Sequence, residues 1–531
     1  MIPETIFVAV LAPIGFAAIG AMLVLLGEVL LSRSQSFLGR PWNARLVGSV
    51  LAGVSMLSLL LGLFVSIQWF ASGDVQVFNP AHPLLQLDRF SALASALIIT
   101  AALLSCALAT YYLEVVGINH AEYYALLLLA TAGMLTMVTA IDFLPLFVGL
   151  ELMSIPLYAL AGFDRRRLSS NESALKYFLI GSFASAVLLY GVALLYGATG
   201  STSFAALREG FDPQSPLALT GLGLVVVGFA FKISAVPFHQ WAPDVYEGAP
   251  SSVTAYMSVA VKATGVLALL RLLALGAAPL GGVGATVLDG PDAGLLDASL
   301  GQVLGGLAAL SMIVGNLMAV IQDNVKRLLA YSSVAHAGYL LVGVAAGTAE
   351  AWSAAVFYLI VYTFMNLGAF AIVVALAQGG RDCERVASFA GLARARPGLA
   401  ALMTIFLLAL TGIPPTAGFF AKFGVFSAAV NVGLVPLAII GVVMSVVSVY
   451  AYLRIPVLMY MHEPEEFAGA PAQAQSGERF VLLACAVAVL ALGILPNGGT
   501  LLDFSLGEQR FALSVPSVLD WARAAVAFLV P

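Results

Sequence analysis

The sequence predicts an all-α polytopic membrane protein of about 14 transmembrane helices, two of them broken, on three observations. The first is composition. Of 531 residues, 61% fall in the set Ala, Val, Ile, Leu, Met, Phe, Trp, Tyr and Cys, 51 are Gly and 10% are charged, where ordinary soluble domains carry roughly 25% charged residues. The second is run length. A helix needs about 20 apolar residues to cross a hydrocarbon core roughly 30 Å thick, and such runs recur from end to end of a chain whose mean hydropathy is +1.01. The third is the alternation of loops rich in Lys and Arg with loops nearly free of them, the pattern of cytoplasmic and external connections.

Dividing the chain where turn residues or charges interrupt the apolar runs gives segments at about 5–31, 46–70, 90–112, 122–140, 143–163, 173–196, 217–240, 251–275, 301–321, 328–347, 352–378, 399–431, 434–460 and 479–496. The first lacks a basic leading region and a small-residue cleavage site, so it reads as a membrane helix and not as a signal peptide. One side of this topology receives Arg33, Arg40, Arg45, Arg165, Arg166, Arg167, Lys176, Lys326, Arg327, Arg381, Arg385, Arg394, Arg396, Arg454 and Arg479, 15 of the 23 basic residues. The other receives Arg89, Arg208, Arg271, Arg510 and Arg523, and its loop at 276–300 holds Asp289, Asp292 and Asp297 without a basic residue. The crowded side is read as cytoplasmic and both termini as external. The apolar run 511–530 is broken by Pro516, Asp520 and Arg523 and reads as interfacial.

Several function classes drop out. A net charge of −5 and so few basic residues exclude a nucleic-acid partner. Cys106, Cys383 and Cys485 stand far apart with no CxxC, so neither an iron–sulfur cluster nor a structural zinc site is written in the chain. No phosphate-binding loop, dinucleotide fingerprint or nucleophile elbow is present.

Three lysines remain, Lys232, Lys262 and Lys422, each inside a predicted span of a chain with only five lysines. A lysine at a helix centre costs about 2.5–3.5 kcal/mol on insertion scales, so three of them demand partners or a function. Glu151, mid-segment, is the natural first partner. Desolvation disfavours the charged form of any buried ionisable group, which brings such groups into proton exchange near neutral pH. A row of them on separate helices is what proton transfer through a membrane requires. A fixed ion pair between Glu151 and one lysine, with the others snorkelling, is the structural alternative. His336, with Ser332 and Tyr339 on the same helical face, reads either as a relay between lysines or as an interhelical hydrogen bonder. His239 reads as a proton-entry group at the cytoplasmic end of its segment.

Two of the charged segments are irregular. The run 399–431 would be about 50 Å long as one helix, and Gly412-Ile413-Pro414-Pro415 in its middle predicts a break, because each Pro removes an amide donor and clashes with the preceding turn. Pro237, five residues beyond Lys232, predicts a second. Broken helices in matching places of two halves point to an internal repeat around an ion path.

The block FKISAVPFHQWAPDVYEGAPSSVTAYMSVAVKATG, with GLELMSIPLYALAGF before it and LTGIPPTAGFFAKFGVF after it, resembles the antiporter-like membrane subunits of respiratory complex I over roughly residues 85–460. PDVYEGAP, LLAYSSVAHAGYL and GFFAKF look most like the subunit N branch. The resemblance implies two inverted five-helix repeats, about 122–275 and 301–460, flanked by three helices in 1–121 and by a C-terminal helix and tail in 461–531. It implies a glutamate on the fifth helix, matched by Glu151, and lysines on the broken seventh, the eighth and the broken twelfth, matched by Lys232, Lys262 and Lys422. It implies a multi-pass subunit of the bacterial inner membrane whose partners are the other membrane-arm subunits of complex I. No cofactor is expected in this chain: flavin, iron–sulfur clusters and quinone would belong to other subunits. The function expected is proton translocation in a redox-driven pump, in which Glu151 and Lys232 set proton affinity in the first half, Lys262 passes protons centrally and Lys422 releases them. A subunit of a multisubunit cation/proton antiporter, a solute transporter and a structural spacer are the competing readings.

Overall fold

The computed structural model describes residues 4–33, 44–212, 214–276, 298–377, 382–463, 476–495, 499–506, 509–515 and 517–529. Arg40, Arg381, Pro516 and the acidic loop positions Asp289, Asp292 and Asp297 lie outside the described residues.

Two long helices, α1 (Glu4–Arg33) and α2 (Ala44–Ser72), are followed by a short antiparallel hairpin, β1 (Gln76–Phe78) and β2 (Leu85–Leu87). The hairpin delivers the chain to α3 (Arg89–Val116), which starts where it does because Asp88 and Ser91 cap each other: the Asp88 carboxylate accepts from the Ser91 amide at 2.7 Å and the Ser91 hydroxyl accepts from the Asp88 amide at 2.8 Å. Next come α4 (Ala121–Thr139), α5 (Phe143–Ala161), α6 (Leu168–Thr199) and a short α7 (Phe204–Gly210). The seventh predicted segment is in two pieces, α8 (Pro216–Lys232) and α9 (Trp241–Gly248). The eighth runs through α10 (Ser251–Tyr256), a π-helical turn at Met257–Val261 and α11 (Lys262–Gly276). Then follow α12 (Ala298–Val320), α13 (Val325–Ala346) and α14 (Ala349–Ala375). After a short α15 (Leu392–Ala395), the twelfth segment is again in two pieces, α16 (Pro397–Thr411) and α17 (Ala417–Asn431). The chain closes with α18 (Val435–Met461), α19 (Ser476–Ile494), a hairpin of β3 (Gly499–Leu506) and β4 (Gln509–Val515), and α20 (Val518–Val526).

Twelve helical segments among the described residues are long and apolar enough to cross a membrane. The two interrupted segments bring the number to the 14 the sequence predicts. The order three helices, one broken segment, one helix occurs from α4 to α11 and again from α12 to α18. Five crossings is an odd number, so a unit of five that follows another directly enters the membrane from the opposite face.

Packing sorts the helices by depth. α13 is buried along its length and α14 nearly so, whereas α1, α6 and α18 expose large apolar side chains such as Leu30, Phe183 and Val446, the surface a bilayer covers. α4 and α5 touch backbone to backbone: a Cβ added at Gly149 would lie 2.8 Å from the Gly133 carbonyl oxygen, and one at Gly133 would lie 2.7 Å from that of Gly149. Small residues allow such approach between membrane helices, and this one seats α5, the carrier of Glu151.

Three expectations need correction. The segment predicted at 217–240 ends its first helix at Lys232 and continues to Gly248, so His239 lies within the break and not at the end of the segment. The run 511–530 is no single interfacial stretch: 509–515 is a strand paired with 499–506, and α20 has nine residues, with Ala522, Ala525 and Val526 buried in packing against α3 and α14. Arg271, counted with the basic residues of the external side, belongs among the buried charges. It is fully buried, and its guanidinium donates to both oxygens of the buried Asp88 carboxylate at 2.9 and 3.2 Å. Burial opposes the Asp88 charge, but Arg271, with the Ser91 amide and the Gln86 side chain, outweighs it and holds the carboxyl below the usual carboxylate range.

Candidate functional site

Both breaks are built so that a lysine meets a helix end. In a continuous helix the amide of residue 415 would donate to the carbonyl of residue 411. Pro415 has no amide hydrogen. The chain instead stops at Thr411, turns at Gly412 with φ of 87°, a left-handed conformation that suits glycine, and leaves the Thr411 carbonyl to accept from Lys422 Nζ at 2.9 Å. The half-helix end carries the negative end of its dipole, so an ammonium is favoured there. In the first break Lys232 is itself the last residue of α8. The connection that follows is held by Val236, whose amide donates to Ser311 Oγ of α12 at 2.9 Å, and by Trp241, whose indole donates to the Phe231 carbonyl at 3.1 Å. The bonds Val236–Pro237 and Pro414–Pro415 are cis.

Lys232, Lys262 and Lys422 are 2%, 2% and 5% exposed. Of the five lysines, the half-exposed Lys176 and the buried Lys326 form ion pairs among the described residues, and Lys232, Lys262 and Lys422 form none. Their acceptors are neutral. Lys232 Nζ donates to Ser154 Oγ at 2.6 Å, and the Ser154 hydroxyl donates to the Leu150 carbonyl. Lys262 Nζ donates to the Ser333 carbonyl, a contact from α11 to α13. The expected direct pair of Glu151 with Lys232 is therefore not formed. Glu151 sits one turn before Ser154 on the same face of α5, and its Oε1 has no hydrogen-bond partner among the described residues.

His336 lies between the second and third lysines. Its Nδ1 is 2.7 Å from the Tyr358 hydroxyl, and its ring meets those of Tyr362 at 5.1 Å and Tyr339 at 5.5 Å. Lys262 Nζ lies 5.8 Å from the Tyr362 ring centre and Lys422 Nζ 4.6 Å from that of Tyr339. The order is thus Lys262, Tyr362, His336, Tyr339, Lys422. His336 Nε2 and Asn366 Oδ1 are buried with hydrogen-bonding capacity unused among the described residues. His239 is half-buried in the first break, 6.4 Å from the Tyr331 ring.

Sequence reasoning missed Ser154, Ser333, Tyr358, Tyr362 and Asn366. The last three recur at intervals of four and so share one face of α14, a signal available in the sequence but identical to that of ordinary core packing. Among the described residues no three His, Cys, Asp or Glu side chains come together to hold a metal ion, and the three cysteines are free.

Residues 140–448 match the transmembrane family NADH:quinone oxidoreductase/Mrp antiporter. Over 468 residues the chain is 43% identical to NADH-quinone oxidoreductase subunit N of Trichlorobacter lovleyi, covering 87% of this chain and 89% of that one. The chain belongs to this family, in its subunit N branch. Among solved structures, a chain of respiratory complex I from Thermus thermophilus with bound aureothin is similar to this family member with a TM-score of 0.72 and 32% identity, covering 91% of this chain and 97% of that chain. A chain of the Mrp complex from Dietzia sp. shares the family fold at a TM-score of 0.78 and 24% identity, over 97% of each chain. The antiporter fold is therefore common to both branches, while the sequence lies nearer the oxidoreductase one.

Proposed function

We propose that the chain is a proton-translocating membrane-arm subunit of a bacterial NADH-quinone oxidoreductase, working beside other membrane-arm subunits in the inner membrane. The observation that carries this reading is the set of three buried lysines on separate elements, each held by a neutral acceptor. An ammonium locked to a carboxylate is a fixture, whereas one held by a hydroxyl or a carbonyl keeps the same acceptor when it loses its proton and so can return to the charged state.

In this reading the charge of Glu151 modulates Lys232, and Lys262 hands protons across the boundary between the two five-helix units to His336. Lys422 then releases them toward the external side, where both termini would also lie. His239, in the first break and near Tyr331, serves proton entry. The units are 122–275 and 301–460, with 1–121 and 461–531 as flanking regions. The chain performs no redox chemistry itself: flavin, iron–sulfur clusters and quinone belong to partner subunits, and quinone reduction there changes the electrostatics along the lysine row.

Purification of the tagged chain from its native membrane tests this. Flavin- and iron–sulfur-containing subunits should copurify, and proton uptake by vesicles should require quinone turnover. Sodium-dependent proton movement without quinone turnover would assign the chain to a cation/proton antiporter instead.

A further inference from the structure

Each of the three buried lysines without an ion pair among the described residues faces an aromatic ring. Lys232 Nζ lies 5.8 Å from the ring centre of Tyr158 and 5.9 Å from those of Tyr177 and Phe231, Lys262 Nζ 5.8 Å from Tyr362, and Lys422 Nζ 4.6 Å from Tyr339. The face of an aromatic ring carries the negative part of its quadrupole and attracts an ammonium within about 6 Å, most strongly away from water. Lys422 has the shortest of these contacts and one hydrogen-bond acceptor, the Thr411 carbonyl, among the described residues.

The Tyr339 ring is fixed where it is. Its hydroxyl accepts from Asn316 Nδ2 at 3.0 Å and from Ser445 Oγ at 3.3 Å, on α12 and α18. The Asn316 amide also donates to the Met312 carbonyl at 2.7 Å. The rings of His336 and Phe426 stand edge-on to it, at interplanar angles of 86° and 75°. Side chains of the second five-helix unit thus hold the phenol from both ends, and its face is what Lys422 meets.

We propose that Tyr339 is a positioning residue whose ring face takes the place of a counter-ion for Lys422, holding the ammonium at the break while the clamped hydroxyl keeps the ring between Lys422 and His336. The proposal rests on the proton-transfer reading above and names the group that makes the last lysine of the row a proton holder without a carboxylate. A phenol face attracts the ammonium, has little hold on the neutral amine and takes no proton itself. Carboxylates would bind the ammonium more tightly and hold it against release.

The test separates ring face from hydroxyl and from bulk. Tyr339→Phe keeps the face and loses the hydroxyl; Tyr339→Leu loses both; 4-fluoro-, 3,5-difluoro- and 3,4,5-trifluorophenylalanine at 339 weaken the face stepwise at nearly constant shape. Protons pumped per quinone reduced are measured in vesicles containing the whole oxidoreductase, normalised to assembled complex. Tyr339→Phe should keep most of the wild-type ratio, because His336 and Phe426 still flank the ring; the fluorinated series should decline in order, and Tyr339→Leu should fall furthest, since a desolvated cation–π contact is worth roughly thirty-fold in the hold on the ammonium. A flat fluorinated series overturns the proposal, as does a Phe variant as impaired as Leu, which would assign the role to the hydroxyl. Where Tyr339→Leu fails to assemble, the fluorinated series decides. Lys422→Ala is the control on the underlying reading: if it pumps normally, the lysine row carries no protons, whereas a defective Lys422→Ala with a flat Tyr339 series removes only the aromatic counter-ion.

Discussion

At Lys262 charge and proton exchange can be told apart. Lysine desolvated in a membrane can lose its proton, whereas arginine stays protonated. Lys262→Arg keeps a cation at the Ser333 carbonyl and Lys262→Ala removes it. Both substitutions should depress proton pumping per electron in membranes with normal amounts of assembled complex; an arginine variant that pumps at the wild-type ratio would make Lys262 an electrostatic fixture. The Asp88–Arg271 pair behaves differently, because there the charge is paired and static. Removing one member of a fully buried pair leaves an unpaired charge and costs about 3–5 kcal/mol, whereas replacing both by apolar residues of similar volume is often neutral. Arg271→Leu should therefore lower the thermal stability of the purified complex more than Asp88→Leu and Arg271→Leu together. Because the folded Asp88 carboxyl lies below its unfolded value of about 3.9, its contribution is present above that pH and is lost as pH falls through the folded value. The charged positions were legible in the sequence because a cation in an apolar run is conspicuous. Their aromatic and hydroxyl neighbours were not, since Tyr362 or Ser154 in a membrane helix has the same pattern as packing.

The elements that matter are the two breaks, and the second shows how local chemistry makes a site. Pro414 and Pro415 deny donors to the Leu410 and Thr411 carbonyls, Gly412 turns the chain, and Lys422 occupies the carbonyl so released. A Cβ at Gly412 would lie 3.0 Å from Lys422 Cδ, so the turn also leaves the lysine its path. Replacing both prolines by Ala restores the amide that competes with Lys422 for Thr411. Proton transfer should slow while the complex stays assembled; unchanged pumping would show the break to be incidental. The second break was readable to the residue, because two adjacent prolines leave no alternative. The first was cut short at residue 240, because Pro237 marks the middle of the interruption and the short α9 after it, with Pro243, Asp244 and Glu247, resembles a loop in sequence.

For the whole molecule, the spans are legible in the apolar runs, the expected sidedness rests on the positions of the basic residues, and the structure shows that this signal is compound. Lys326 is fully buried, 3.5 Å from Asp382 and 3.7 Å from Glu384, and Arg167 reaches the same two carboxylates at 3.2 and 2.8 Å. Arg327 binds both Asp244 and Glu247 of α9 at 2.7 Å. Arg327 thus ties α9 to the start of α13, and Lys326 and Arg167 tie the starts of α13 and α6 to the connection after α14, a structural role that contributes to their clustering beside any topological one. Sidedness is therefore best tested at basic residues that remain exposed. Arg166 and Arg394 qualify, with side chains 62% and 64% exposed. The native thiols give little background: Cys106 and Cys485 are buried, and burial pushes the Cys383 thiol up to about 11, which leaves almost no reactive thiolate near neutral pH. Arg166→Cys and Arg394→Cys should each be labelled by a membrane-impermeant maleimide in inverted vesicles and spared in intact right-side-out cells. Two positions on different five-helix units matter here, because an error of one crossing between them would place them on opposite faces. Labelling of both from outside would invert the topology; labelling of one from each side would remove a span between α6 and α16 and with it the odd-numbered repeat on which the opposed orientation of the two halves depends.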